Sequence, residues 1–310
     1  MPTWGEILSE LRVGAQGRGG VVDFDGVRRK YLSNLHAASG HDTIIYYSDW
    51  LHTGAETSLT LEDMQGMMEV CRGLNGSELD LIVHSPGGQA EATKSVVSYL
   101  RGRYQKIRVF VPLAAMSAAT MLALAADEVV MGKHSQLGPI DPQVLIGGSW
   151  VPSRAIIEQF DRAKEEIAKD PTSLNAWYPI LQQYGPGLIA SCESAEELSR
   201  KLVAEWLEKF MFRGQADAGL KAKSTADWFG TFGNHLSHSL GITRDEARAH
   251  GVNIVNLEST LQDEVLSVHH ATLHTFSGPA VKIIENHLGH TYAKIQQQFA
   301  MPMQVPIPSP

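Results

Sequence analysis

The chain reads as an α/β protein built on a parallel sheet. Between residues 43 and 131, short β-rich runs alternate with helical spacings, the pattern of strands joined by crossover helices. Two of those runs end in turns of glycine or serine that open the next helix, so both turns belong at the carboxyl ends of strands, where open α/β sheets gather their functional groups.

Trp4 to Val13 and Asp23 to Ala38 have helical spacing and flank a glycine-rich stretch, Gly14 to Gly20; residues 1–42 are expected to form an N-terminal helical arm packed on a core of residues 43–150. Thr43 to Tyr47 is the first β-rich run. A helix from about Leu61 to Leu74 follows, then a strand at Asp80 to His84, a helix from Gln89 to Arg101, and a strand at Lys106 to Val111 that Pro112 stops. Ser117 opens an Ala/Met/Leu-rich helix reaching about Ala126, and Glu128 to Met131 is the next strand. Gly132 to Pro142 is too rich in turn residues for a long helix or a central strand. From Ser153 the pattern is mostly helical, at Ile156 to Ile167, Ala195 to Phe212 and Gln262 to His274, with breaks near Gly185-Pro186-Gly187 and Gly230 to Gly233. Residues 151–300 are therefore expected to form a helical half that completes the core and makes oligomer contacts. The tail, 301–310, carries four prolines and is expected to be extended or disordered unless a partner docks it. No internal repeat is evident.

At 310 residues and 43% hydrophobic content, the chain can bury a full core without staples. Cys71 and Cys192 are its only cysteines, which argues against a disulfide framework and suits a reducing compartment, so a cytoplasmic location is expected. The start, Met1 to Glu6, lacks the basic and apolar segments of a signal peptide. The most apolar stretch, Val109 to Met131, contains Ser117, Thr120, Asp127 and Glu128 and divides into strand, turn, helix and strand, so no membrane span is expected. A net charge of −8 with one short basic cluster, Arg28-Arg29-Lys30, disfavours nucleic acid as a partner. No cofactor motif stands out. His269, His270 and His274 place two histidines on one helix face, but no glutamate accompanies them in the HExxH manner, and packing at a helix or subunit interface is expected in place of a metal site.

The two turns carry the chemistry. Ser85-Pro86-Gly87-Gly88 joins a strand to a helix; glycine permits positive φ and a close approach, and the helix start adds unpaired N–H donors, so an oxyanion is the natural guest. Ala114-Ala115-Met116-Ser117-Ala118-Ala119-Thr120 presents a hydroxyl at the second corner. Taken singly, Ser117 is a helix cap and the glycines a tight turn. Together, with one helix and one strand between them, they outline half of a serine hydrolase site.

Leu81 to Gly88, Ala115-Met116-Ser117-Ala118, Ala125 to Glu128 and Met131 to Gln143 resemble the Clp-fold serine peptidases, and most closely the serine dehydrogenase proteinase family. Weaker likeness extends through Asp23 to Lys30 and His270 to Phe276, and Ile242 to Arg248 is similar to the late helix by which signal peptide peptidase A and its relatives re-enter their core. The resemblance implies a Clp/crotonase-like spiral of ββα units, assembly into homo-oligomers, and hydrolysis of peptide or protein substrates through a serine. It matches Ser117 to the nucleophile, and Gly87, Gly88 and Ala118 to the positions whose N–H groups form the oxyanion hole.

A serine needs a positioned base, either an imidazole held by a carboxylate or a lysine of lowered pKa. The Clp proteases use a Ser, His, Asp order, but their histidine position falls near Ile140 or Asp141 here. The serine dehydrogenase proteinase family is described with a Ser, Asp, His order, which makes Asp141 the carboxylate, although Pro139 to Pro142 also suits an Asx-type turn. His134 in the same loop is then the first histidine to consider. His235 and His238 are alternatives, and Lys164 or Lys169 would correspond to the signal peptide peptidase lysine. Two other functions fit the scaffold: a crotonase-type acyl-CoA enzyme using the same N–H pair on an enolate, and a noncatalytic oligomeric scaffold.

Overall fold

The computed structural model describes residues 2–51 and 57–296; the proline-rich tail of the sequence reading lies outside them. In chain order the elements are α1 (Trp4–Gln16), α2 (Phe24–Ser39), β1 (Asp42–Ser48), α3 (Asp63–Val70), β2 (Glu78–His84), α4 (Ala90–Arg101), β3 (Lys106–Val111), β4 (Ala114–Ala115), α5 (Ala118–Leu124) and β5 (Glu128–Met131). The second half continues with β6 (Gln136–Leu137), β7 (Gln143–Ile146), β8 (Ser149–Pro152), α6 (Ser153–Lys169), α7 (Leu174–Leu181), α8 (Leu188–Trp206), α9 (Ala218–Gly230) and α10 (Phe232–His235). It closes with β9 (Ile242–Thr243), α11 (Arg244–Ala249), β10 (Ile254–Asn256), α12 (Gln262–Thr275), β11 (Ala280–Asn286) and β12 (Thr291–Ile295).

The α/β class holds, built on a seven-stranded sheet in the order β10-β5-β3-β2-β1-β11-β12. Residues of β1, β2, β3 and β5 are buried on both faces because helices cover both, as parallel strands joined by crossovers require. Side chains alternate accordingly. Ile44, Leu81, Val109 and Val129 pack with α3, α4, α5, α8 and α9. Ile45, Ile82, Phe110 and Val130 pack with α1, α2 and α12.

Two features differ from the sequence reading. The sheet is mixed, since β11 runs antiparallel to β1 and β12 antiparallel to β11. The second half is also less helical than its spacing suggests, holding the β7–β8 hairpin and the short strands β9 and β10 besides that antiparallel pair. For β11 the reason lies in buried charge. Lys282 and Glu285 interrupt the apolar run of β11, yet both are fully buried, with Lys282 paired to Asp63 and Glu285 to Arg28 and Arg29. A pattern built on hydrophobicity cannot see a strand whose interior positions are ion-paired.

Candidate active site

The two turns converge by direct backbone pairing. Ser85 N–H donates to Ala114 O at 3.2 Å and Met116 N–H to Ser85 O at 2.9 Å, stitching the end of β2 to β4. Contact at Gly87 is tighter still: a Cβ there would lie 2.4 Å from Met116 O and 2.8 Å from Ser117 Cβ, and its φ is +94°. Only glycine lets the first turn lie against the second.

Ser117 occupies the cap position of α5 but makes no capping hydrogen bond. Its backbone is at φ 50°, ψ −119°, a conformation that costs a non-glycine residue roughly 1–3 kcal/mol and that surrounding packing must hold. The simple helix-cap reading therefore does not describe this serine. Its side chain faces a cleft of about 720 Å³, whose lining also includes Gly88, Ala118, Met121, Ile140 and His238. Among the described residues, neither Gly88 N–H nor Ala118 N–H finds a hydrogen-bond acceptor. Gly87 N–H differs, being taken by Ser85 Oγ at 3.2 Å. Of the three glycine and alanine positions singled out in the sequence, two offer free donors at the cleft and Gly87 gives the turn its shape.

A small second sheet gathers the remaining polar groups. It has the order β4-β6-β9, with β6 parallel to β4 and antiparallel to β9. Ser117 follows β4, Asp141 follows β6 and His238 precedes β9 within a few residues, so three points distant in the chain lie at one end of this sheet. Thr120 Oγ1 reinforces this arrangement by donating to Ala115 O (2.7 Å) and accepting from Gly138 N–H (2.9 Å). Ile140 N–H donates to Phe229 O at 2.9 Å, fixing the loop just before Asp141.

Asp141 is buried, at 3% exposure. Its Oδ1 accepts from His238 Nδ1 at 2.8 Å and its Oδ2 from Gln143 Nε2 at 3.0 Å. Because a carboxylate only accepts, Nδ1 carries the proton, and Nε2 of a neutral His238 is left as an acceptor.

The other sequence candidates stand elsewhere. His134 is not among the residues lining the cleft; its ring lies against Gly132. His235 is buried, bonded through Nε2 to Trp228 O at 2.9 Å with its ring edge-on to Trp228. Lys164 is exposed on α6 and paired with Asp161 at 2.6 Å. Lys169 ends the same helix. His269 bonds the Tyr47 hydroxyl (3.1 Å), while His274 bonds Trp4 O (3.0 Å) and lies against the Trp4 ring, so these α12 histidines pack between the sheet and the N-terminal helices.

Sequence reasoning missed Gln143, Thr120 and the 58–60 segment. Leu59 pairs with the glycine loop, its N–H donating to Gly87 O (2.7 Å) and its O accepting from Gln89 N–H (2.9 Å). Thr120 and Gln143 fall inside the serine turn and the Met131 to Gln143 stretch but carry no role there, and no motif marks the 58–60 segment. They act through backbone pairing or as single polar groups.

Residues 57–176 match the family model of ClpP-like SDH-type serine proteinases, so the resemblance carried by the two turns and the following loop holds over this stretch. The fold is the mixed α/β architecture of that group. Ser117, Asp141 and the glycine loop lie inside the matched segment, and His238 lies beyond its end. Two uncharacterized proteins of Methanocaldococcus jannaschii are each 34% identical to the chain, over 113 and 119 residues, or 36% and 38% of it. The chain spans 37% and 40% of their lengths, so the match is to a shared segment. Two solved structures of the membrane-bound stomatin-specific protease 1510-N, a serine-to-alanine mutant and a lysine-to-alanine mutant bound to a substrate peptide, overlap 64% of this chain and 75% and 71% of theirs. The identities are 16% and 17% and the TM-scores 0.37 and 0.39, too loose an overlap to place individual residues. No helix among the described residues is long and apolar enough to cross a membrane.

Proposed function

We propose that the protein is a serine peptidase in which Ser117 is the nucleophile, His238 its general base and Asp141 the carboxylate that orients the imidazole. The observation that carries this reading is the shared cleft: a strained, uncapped serine and the carboxylate-bound His238 line the same space as two N–H groups without acceptors. In the acylation step His238 Nε2 takes the Ser117 hydroxyl proton as Oγ bonds to the substrate carbonyl carbon. The carbonyl oxygen becomes an oxyanion facing Gly88 N–H and Ala118 N–H. His238 then passes its proton to the leaving amine, and water attacks the acyl-enzyme by the reverse sequence. Asp141 keeps Nδ1 protonated and stabilises the imidazolium without itself taking a proton.

The match of residues 57–176 to a serine proteinase family supports this chemistry. The Ser, Asp, His chain order is also the one that the family resemblance implies. A fluorophosphonate probe should label the wild-type protein at Ser117 and leave Ser117→Ala unlabelled. Equal labelling of both proteins would remove Ser117 from the mechanism.

A further inference from the structure

The 58–60 segment forms one wall of the cleft, with Ser58 and Thr60 among its lining residues. Leu59 between them clasps the glycine loop through its own N–H and carbonyl. The contact is close, since a Cβ at Gly88 would fall 2.2 Å from Leu59 O and 2.5 Å from Leu59 N. Where Leu59 goes, Gly88 must follow.

Behind this segment lies a fully buried charge cluster. Lys282 of β11 and Asp63 of α3 have side chains 1% and 2% exposed. The three protons of Lys282 Nζ have three acceptors, Ser58 O and Asp63 Oδ1 at 2.8 Å and Asp63 Oδ2 at 2.9 Å. Asp63 Oδ2 also accepts from Thr60 N–H and the Tyr46 hydroxyl, each at 2.9 Å. Two of these bonds end on the backbone of Ser58 and Thr60, either side of Leu59. An apolar pair of similar volume would satisfy packing equally well or better, but it could not grip a carbonyl and an N–H of the 58–60 segment. Burial pushes the Lys282 ammonium pKa down while Asp63 draws it back up.

We propose that Lys282, Asp63 and Tyr46 are positioning residues that hold the 58–60 backbone against the glycine loop and thereby set the direction of Gly88 N–H in the cleft. The catalytic consequence rests on the reading of Gly88 as an oxyanion donor; the mechanical one does not.

The test uses the full chain with the double substitution Lys282→Met/Asp63→Asn, which removes both charges together and leaves an acceptor at position 63. Hydrogen exchange in peptides covering 57–63 and 85–91 should accelerate about tenfold or more, while peptides from α8 keep wild-type protection. Exchange at wild-type rates in both segments of the folded variant would overturn the proposal. If the double variant does not fold, Tyr46→Phe, which deletes one bond to Asp63, is read in the same peptides and by the same criterion. In the turnover arm, kcat should fall on the order of 10-fold to 100-fold with KM within about twofold, the signature of a donor used in the transition state. Faster exchange with unchanged kcat would overturn the catalytic link alone. A wild-type protein without Ser117-dependent turnover would instead sink the peptidase reading, and exchange would still decide whether the cluster holds the segment.

Discussion

The two faces of the central sheet both contain polar groups without protein partners, and they differ in whether anything can reach them. On one face Gly88 N–H, Ala118 N–H and the Ser117 hydroxyl meet an open cleft. On the other, His84 Nε2, Trp50 Nε1 and His270 Nδ1 are sealed away with no hydrogen-bond partner among the described residues, where Tyr47, His84 and His269 pack ring against ring at 5.7–5.8 Å. An unfilled valence beside a cleft can be filled by a ligand; the same valence in a closed interior only costs stability. The histidine-rich face is therefore the chemically richer one by composition, and the serine face is the one that the proposed mechanism uses.

That contrast fails if the accessible groups prove inert. The largest effects are expected in the oriented pair: His238→Ala and Asp141→Asn should each lower kcat/KM by on the order of 10³-fold or more, without loss of the fold. Steady-state hydrolysis of a fluorogenic peptide, with circular dichroism as the folding control, measures this. Full activity in His238→Ala would assign the base elsewhere, and full activity in Asp141→Asn would remove that carboxylate from the mechanism. A second large effect is expected at Gly88, where an added Cβ collides with backbone and not with a movable side chain. Gly88→Ala should lower kcat by roughly 10²-fold or more, since one displaced oxyanion donor is worth about that much.

A smaller effect, confined to KM, is expected at the rim. Trp150 lines the cleft from the β7–β8 hairpin and stands opposite Leu145, and both rim residues are exposed. A residue that contacts substrate in ground and transition state alike contributes uniform binding. Trp150→Ala should therefore raise KM several-fold at nearly constant kcat. A fall in kcat with KM unchanged would move Trp150 into the reacting centre.

The same accessibility argument explains what the sequence disclosed. The turns at Gly87-Gly88 and Ser117 were legible because glycine, proline and serine punctuate apolar runs, and the strand at Glu128 to Met131 falls where the pattern put it. Which of His134, His235, His238 and the lysines lines the cleft was not legible. It depends on β4, β6 and β9, two-residue strands whose register spans more than a hundred residues of chain and leaves no periodicity to read. Nor does a sequence separate a capping serine from one held at positive φ; Ser117 takes that conformation where the Gly87 backbone lies directly against its Cβ.

The smallest effect on turnover is expected from the closed face. Burial lowers the His84 pKa from 6.5 to about 4, partly opposed by its bond to Ala114 O. An unfolded histidine keeps the ordinary value, so between pH 6.5 and about 4 the unfolded chain binds the proton and the folded one does not. Stability from this residue is thus present above pH 6.5 and is lost as pH falls through the folded pKa, a change of about 3 kcal/mol. His269, shifted in the same direction by burial and by its histidine neighbours, adds to the same slope. His84→Asn retains a donor for Ala114 O and cannot titrate. It should flatten the acid side of a Tm-versus-pH curve while changing kcat at neutral pH by less than about fivefold. A large kcat loss in this variant, with its fold intact, would show that the two faces are coupled through the end of β2 and that the sealed histidines take part in the chemistry of the cleft.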